Sequence, residues 1–191
     1  NLITNGDFEG GGAGTGFQTN YFLTASNSNP RNYAIVSNAG PINGVFSNAC
    51  TDHSAVGVNM MVVDGATSGP NSDKVWEALT PSGGGGGIPV TAGVTYTFSY
   101  WIQSISSTNT ASNSANIQVK INNVDQLPNI GSTVCPVALC GWTFVSYTWV
   151  ATSGYAQIWL YDRQTSSAGN DFALDDISFT AAPAPLSLTY S

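Results

Sequence analysis

Charge is what this chain of 191 residues has least of: 8% of its side chains are Asp, Glu, Lys or Arg, four basic against eleven acidic, for a formal net charge of −7. So few cations exclude the clustered basic footprint that nucleic acid or an anionic membrane surface requires. A densely sulfated glycan is disfavoured on the same ground, although a local patch of Lys120 and Arg163 is able to meet isolated anionic groups. No apolar run approaches the roughly 18 residues of a bilayer span, and no segment shows a convincing helical period. With one His and three Cys, there is no second Cys or His pair at zinc-ligand spacing.

Glycine is plentiful, but without phosphate chemistry. Gly10 to Gly16 superficially resembles a dinucleotide loop, which would need a following helix and an acidic residue about 20 positions on. No helix follows. Gly83 to Gly87 lacks the Gly-Lys-Ser/Thr ending of a phosphate loop. Solubility therefore rests on Ser, Thr, Asn and Gly, the habit of many extracellular β-proteins. The chain begins at Asn1 and reads as a mature or excised piece whose targeting signal lies elsewhere; a secreted or cell-surface location is expected. Cys135 and Cys140 enclose a short loop that a disulfide would staple, leaving Cys50, but three cysteines allow three pairings.

What the chain has is alternation. Val56–Val63, Val75–Leu79, Val94–Ile105, Asn116–Asn122, Trp142–Val150, Tyr155–Arg163 and Phe172–Phe179 read as strands, with a short first strand in Asn1–Glu9 and turn signals between. About eight strands and no helix predict one all-β domain, a jelly-roll sandwich of two antiparallel sheets. Within Tyr155–Arg163, Ala156, Ile158 and Leu160 face the core. Tyr155, Gln157, Trp159, Tyr161 and Arg163 face away from it. Simple jelly-roll pairing would put the strands at 56–63, 94–105, 116–122 and 155–163 in one sheet. Trp101, Gln103, Gln118, Lys120 and Asn122 would then share that outer face. Sugars offer C–H faces that stack on rings, and hydroxyl rims that suit amides and guanidinium groups.

Asn1-Leu-Ile-Thr-Asn-Gly-Asp-Phe-Glu9 and Asn170-Asp-Phe-Ala-Leu-Asp-Asp-Ile-Ser-Phe179 resemble the two ends of galactose-binding-like jelly rolls, nearest to carbohydrate-binding module families 4, 9 and 22. Asp52-His-Ser54, Asn59–Gly65, Lys74-Val-Trp-Glu77 and Tyr96–Trp101 look like modules of large secreted proteins of the Bacteroidetes. The resemblance covers residues 1–180; residues 181–191 look like a Pro-rich linker to a further region. It implies a structural Ca²⁺ held by Glu9 and Asp175, with Asp176 as the alternative for a register shifted by one. Calcium takes about six to eight oxygens, part carboxylate and part carbonyl.

Competing chemistry is thin. His53, beside Asp52, lacks a nucleophile or second proton-transfer group in the sequence pattern and reads as a loop-ordering residue. Glu77 alternates with Val75 and Leu79, toward the core. Tyr161, Lys120 and Arg163 could mimic a polysaccharide lyase, but the same residues suffice for binding, and Trp101 and Trp159 could instead be buried under long loops in a purely structural or adhesive module. The reading is a non-catalytic, monomeric polysaccharide-binding module serving a linked catalytic or surface domain. Trp159, Tyr161 and Trp101 would stack on the sugar, with Gln103, Gln118, Gln157, Lys120 and Arg163 at its polar rim.

Overall fold

The computed structural model describes residues 1–54, 57–69, 73–80, 87–125 and 133–183. Its strands are β1 Phe17–Gln18, β2 Phe22–Leu23, β3 Asn32–Val36, β4 Met60–Asp64, β5 Lys74–Ala78, β6 Ile88–Pro89, β7 Thr95–Ser104, β8 Asn116–Ile121, β9 Val124–Asp125, β10 Thr133–Val134, β11 Thr143–Val150, β12 Tyr155–Ala156, β13 Ile158–Asp162 and β14 Asp171–Ala181. One sheet, here the A sheet, runs β1-β5-β13-β8-β10 with β9 on β8; the other, the B sheet, runs β11-β7-β14-β4-β3-β2. All pairings are antiparallel except β2 with β3. The fold is the all-β jelly-roll sandwich that the alternation predicts.

Each strand sends one row of side chains between the sheets. Ile117, Val119, Ile121, Ile158, Leu160 and Trp76 come from the A sheet; Phe98, Tyr100, Ile102, Phe172, Leu174 and Phe179 come from the B sheet. All are almost fully buried, each contributing on the order of 2 kcal/mol by area removed from water.

The first nine residues form no regular strand but run along the last one, as jelly-roll closure requires. Leu2 N–H donates to the Phe179 carbonyl (2.7 Å) and Ile177 N–H to the Gly6 carbonyl (2.8 Å). A Cβ on Gly6 would lie 2.0 Å from the Ile177 carbonyl oxygen, so only glycine allows this approach. Opposite it, β14 shifts register between Asp175 and Ser178, with Asp176 at a φ of 46°. That bulge returns Ile177 to the core.

The single-sheet inference is corrected. β4 and β7 belong to the B sheet, β8 and β13 to the A sheet; β7 is drawn to β14 and β11 by full-length ladders, a tertiary choice that alternation leaves open. The stretch Tyr155–Arg163 also divides. Tyr155 and Ala156 pair with β6 in a two-stranded sheet, and Asn122 caps the gap, its side-chain oxygen accepting from Gln157 N–H (2.8 Å) while its own N–H donates to the Gln157 carbonyl (2.9 Å). Cys50 bonds to Cys140 across 90 positions, and Cys135 is free and buried. β14 extends to Ala181; of the expected linker, residues 184–191 lie outside the described residues, as do positions 55–56 and 81–86 of the expected strand and glycine stretches.

Candidate functional site

The outer face of the A sheet is built row by row. Gln18 stands opposite Glu77, Glu77 opposite Trp159, Trp159 opposite Lys120, and Lys120 opposite Asp125. The next row is Lys74, Tyr161 and Gln118. Lys74 and Glu77 share this face because β5 and β13 shift register between Leu160 and Tyr161, which lets both Val75 and Trp76 bury. Strict alternation had sent Glu77 inward, so sequence reasoning missed both charges. The available signal was two opposite charges, three positions apart, on one strand of a charge-poor chain.

Contacts cross between the rows. The Trp159 indole N–H donates to Glu77 Oε1 at 2.8 Å, and Lys74 Nζ donates to Glu77 Oε2 at 2.7 Å. Lys74 Nζ also lies 4.9 Å from the centre of the Trp159 ring, and Lys120 Nζ lies 5.3 Å from that of Tyr161. An ammonium over a ring is attracted by its negative π face. Arg163, exposed just beyond β13, donates from Nη1 to Gln118 Oε1 at 2.9 Å. Gln118 and Tyr161 are buried, whereas Trp159, Gln157 and Lys120 are half-buried. Burial, and then the Glu77 carboxylate, raise the Tyr161 hydroxyl above its ordinary pKa; it stays a phenol at neutral pH. Asp162, the next residue, turns inward and accepts from Asn116 and Gln164 N–H; burial pushes its pKa up to about 6.

Trp101 and Gln103 lie on the opposite face of the molecule. The segment 37–54 folds over the outer side of the B sheet, where Ala39, Ile42, Phe46 and Cys50 pack on Ala34, Met60, Val62 and Ala173 as a second core. Gln103 is fully buried there, its Nε2 donating to the Thr51 carbonyl at 3.1 Å. Trp101 stacks on His53 with centroids 3.9 Å apart, and Trp142 meets the same imidazole edge-on. These two residues leave the expected groove because β7 lies in the B sheet, where the covering segment buries Gln103 and His53 takes one face of the Trp101 ring. Trp101 is half-buried, as Trp159 is. His53 orders that segment.

The three acids of the expected calcium site each meet protein partners. Glu9 accepts the N–H groups of Val58 and Asn59, each at 2.7 Å, and these bonds, Asn59's first, hold its pKa below the usual carboxylate value. Asp175 accepts His53 N–H at 3.0 Å, and Asp176 Oδ2 lies 2.7 Å from His53 Nδ1. Burial, with the Asp52 carboxyl beside it, raises Asp175. Among the described residues no three His, Cys, Asp or Glu side chains are grouped to hold a metal ion. Asp52, whose Oδ1 is buried without a partner, stands beside Asp175.

No protein-family model matches the chain, and no curated protein matches it in sequence. Solved structures do match in fold. The CBM22-1 xylan-binding domain of Paenibacillus barcinonensis Xyn10C aligns over 94% of this chain and 93% of its own, with a TM-score of 0.51 at 11% identity. The Stig cyclase Fisc of Fischerella sp. TAU aligns over 96% and 97%, with a TM-score of 0.56 at 15% identity. An arabinose-bound α-L-arabinofuranosidase, MgGH51, aligns over 94% of this chain but only 26% of its own length, with a TM-score of 0.57 at 16% identity. At such identities the likeness establishes the fold, which hosts both binding modules and enzymes.

Proposed function

We propose that the chain is a non-catalytic carbohydrate-binding module whose ligand lies across the outer face of the A sheet. The observation that carries this reading is Trp159, half-buried on the outer face of the A sheet, with Tyr161 and Gln118 buried in the next row and Lys120 and Arg163 around them. The fold likeness to a xylan-binding domain supports it. Binding here is modest, because a shallow wet face gains little beyond its stacked rings. Its use is to hold a linked enzyme or surface protein on a glycan through effective concentration. The Cys50–Cys140 disulfide supports an oxidising, extracellular setting.

The lyase reading is weaker. Tyr161, Lys120 and Arg163 do come together, but proton abstraction by tyrosine needs a phenolate, and burial with the Glu77 charge raises the Tyr161 pKa.

The test is affinity electrophoresis against a panel of neutral and acidic polysaccharides, using wild type, Trp159→Ala and Trp101→Ala. Retention by one polymer class, weakened about tenfold or more by Trp159→Ala and untouched by Trp101→Ala, is the expected result. Failure of every polymer to retain the wild type would leave only a structural or adhesive module.

A further inference from the structure

The chain owns four Lys and Arg in all. Three of them, Lys74, Lys120 and Arg163, stand on the face that holds Trp159 and Tyr161. The fourth, Arg31, is paired at 2.9 Å with Asp73, the residue before Lys74, and lies over Phe22. A protein of net charge −7 has thus gathered its positive charge around its aromatic pair.

Those cations are not equally spent. Lys74 is neutralised by Glu77 at 2.7 Å. Lys120 reaches Asp125 only at 3.6 Å, and that carboxylate is half exposed. Arg163 bonds to a neutral amide, Gln118, and no carboxylate lies within ion-pair distance of it among the described residues. The rings, moreover, do not present bare faces: an ammonium hovers over each. A neutral sugar stacking on the half-buried Trp159 has to push a lysine aside. A sugar bearing a carboxylate meets it as a partner.

Resting on the sugar-binding reading above, we propose that this face selects an anionic glycan, a polymer whose uronate carboxylates pair with Arg163 and Lys120 beside the two rings. A guanidinium matches a carboxylate in a planar two-bond fork. One open guanidinium and one loosely held ammonium suit widely spaced charges. A densely sulfated chain would also bring many anions against a protein that is acidic everywhere else, and long-range repulsion opposes that approach.

The experiment is isothermal titration of the whole chain with polygalacturonate, with the same polymer fully methyl-esterified, with neutral xylan and with heparin, for wild type and Arg163→Gln. Polygalacturonate is expected to bind at least about tenfold more tightly than its ester, and to weaken by a similar factor in about 0.5 M salt, because exposed charges are screened. Arg163→Gln should remove most of that preference, weakening polygalacturonate far more than the ester, in a chain that circular dichroism shows to be still folded. Equal or tighter binding of the ester or of xylan would overturn the selectivity and leave sugar binding intact. Heparin binding best would overturn the assignment to carboxylates. Heat from none of the four polymers would remove the sugar-binding reading itself, and the selectivity with it.

Discussion

The two outer faces of this sandwich began with the same chemistry and ended as opposites. On the A sheet, Trp159 and Gln118 sit among charges, with Lys74, Lys120 and Arg163 reaching over the surface. On the B sheet, Gln103 sits under the segment 37–54 and Trp101 stacks on its His53, the segment being pinned by Cys50–Cys140. A strand's alternation says which residues leave the core; it does not say whether a loop then covers them. Both rings are half-buried and both amides buried; what differs is the neighbour, charged side chains of the sheet itself in one case and a folded-over segment in the other.

Cutting the disulfide is the strongest way to break this contrast. Closing a loop of this length constrains the unfolded chain by roughly 4–5 kcal/mol in the chain-entropy model. Cys140→Ser should therefore lower the melting temperature by roughly 10–20 °C for a domain of this size, and expose Trp101 to quenchers. Below the new midpoint, binding through Trp159 should persist. Loss of binding with the fold intact would mean that the two faces are coupled.

Acidity gives a smaller effect, shared by both sheets. Asp162 ends β13 and Asp171 begins β14. Burial raises Asp162 to about 6, and burial followed by the Asp64 charge raises Asp171 to about 7, against about 3.9 in an unfolded chain. Between these values the folded state holds protons that the unfolded state has released, so stability is full below about pH 4 and is lost as pH rises through 6 to 7. Melting should occur several degrees higher at about pH 5 than at about pH 8, and Asp162→Asn should flatten the slope. A flat wild-type profile would contradict the two shifts.

The smallest expected effect is none. With Glu9 held by backbone N–H groups and Asp175 and Asp176 held by His53, a calcium chelator should leave both melting temperature and glycan binding unchanged. A fall in melting temperature on chelation would restore the structural calcium that the end motifs imply.

The core faces were legible in the sequence because period-two alternation is local: Ile117-x-Val119-x-Ile121, Ile158-x-Leu160 and Phe98-x-Tyr100-x-Ile102 all point where their spacing says. So was the outward turn of Trp159 and Tyr161. Strand partnership was not, since β7 and β13 read alike and only packing assigns them to different sheets. A register shift in β5 hid Lys74 and Glu77, as one extra residue reverses every side chain beyond it. The Cys50–Cys140 link was hidden by distance along the chain, and a short Cys135–Cys140 loop is the obvious but wrong pairing to the eye.

Glu77 grips the Trp159 indole with one oxygen and Lys74 with the other. A large side chain normally gives up rotational freedom when a ligand presses on it, at about 0.5–1.5 kcal/mol for each one immobilised. Trp159 has already surrendered that freedom during folding. The conformational entropy of the platform is therefore spent before any ligand arrives, and the association that follows is that of a rigid plate rather than a swinging ring.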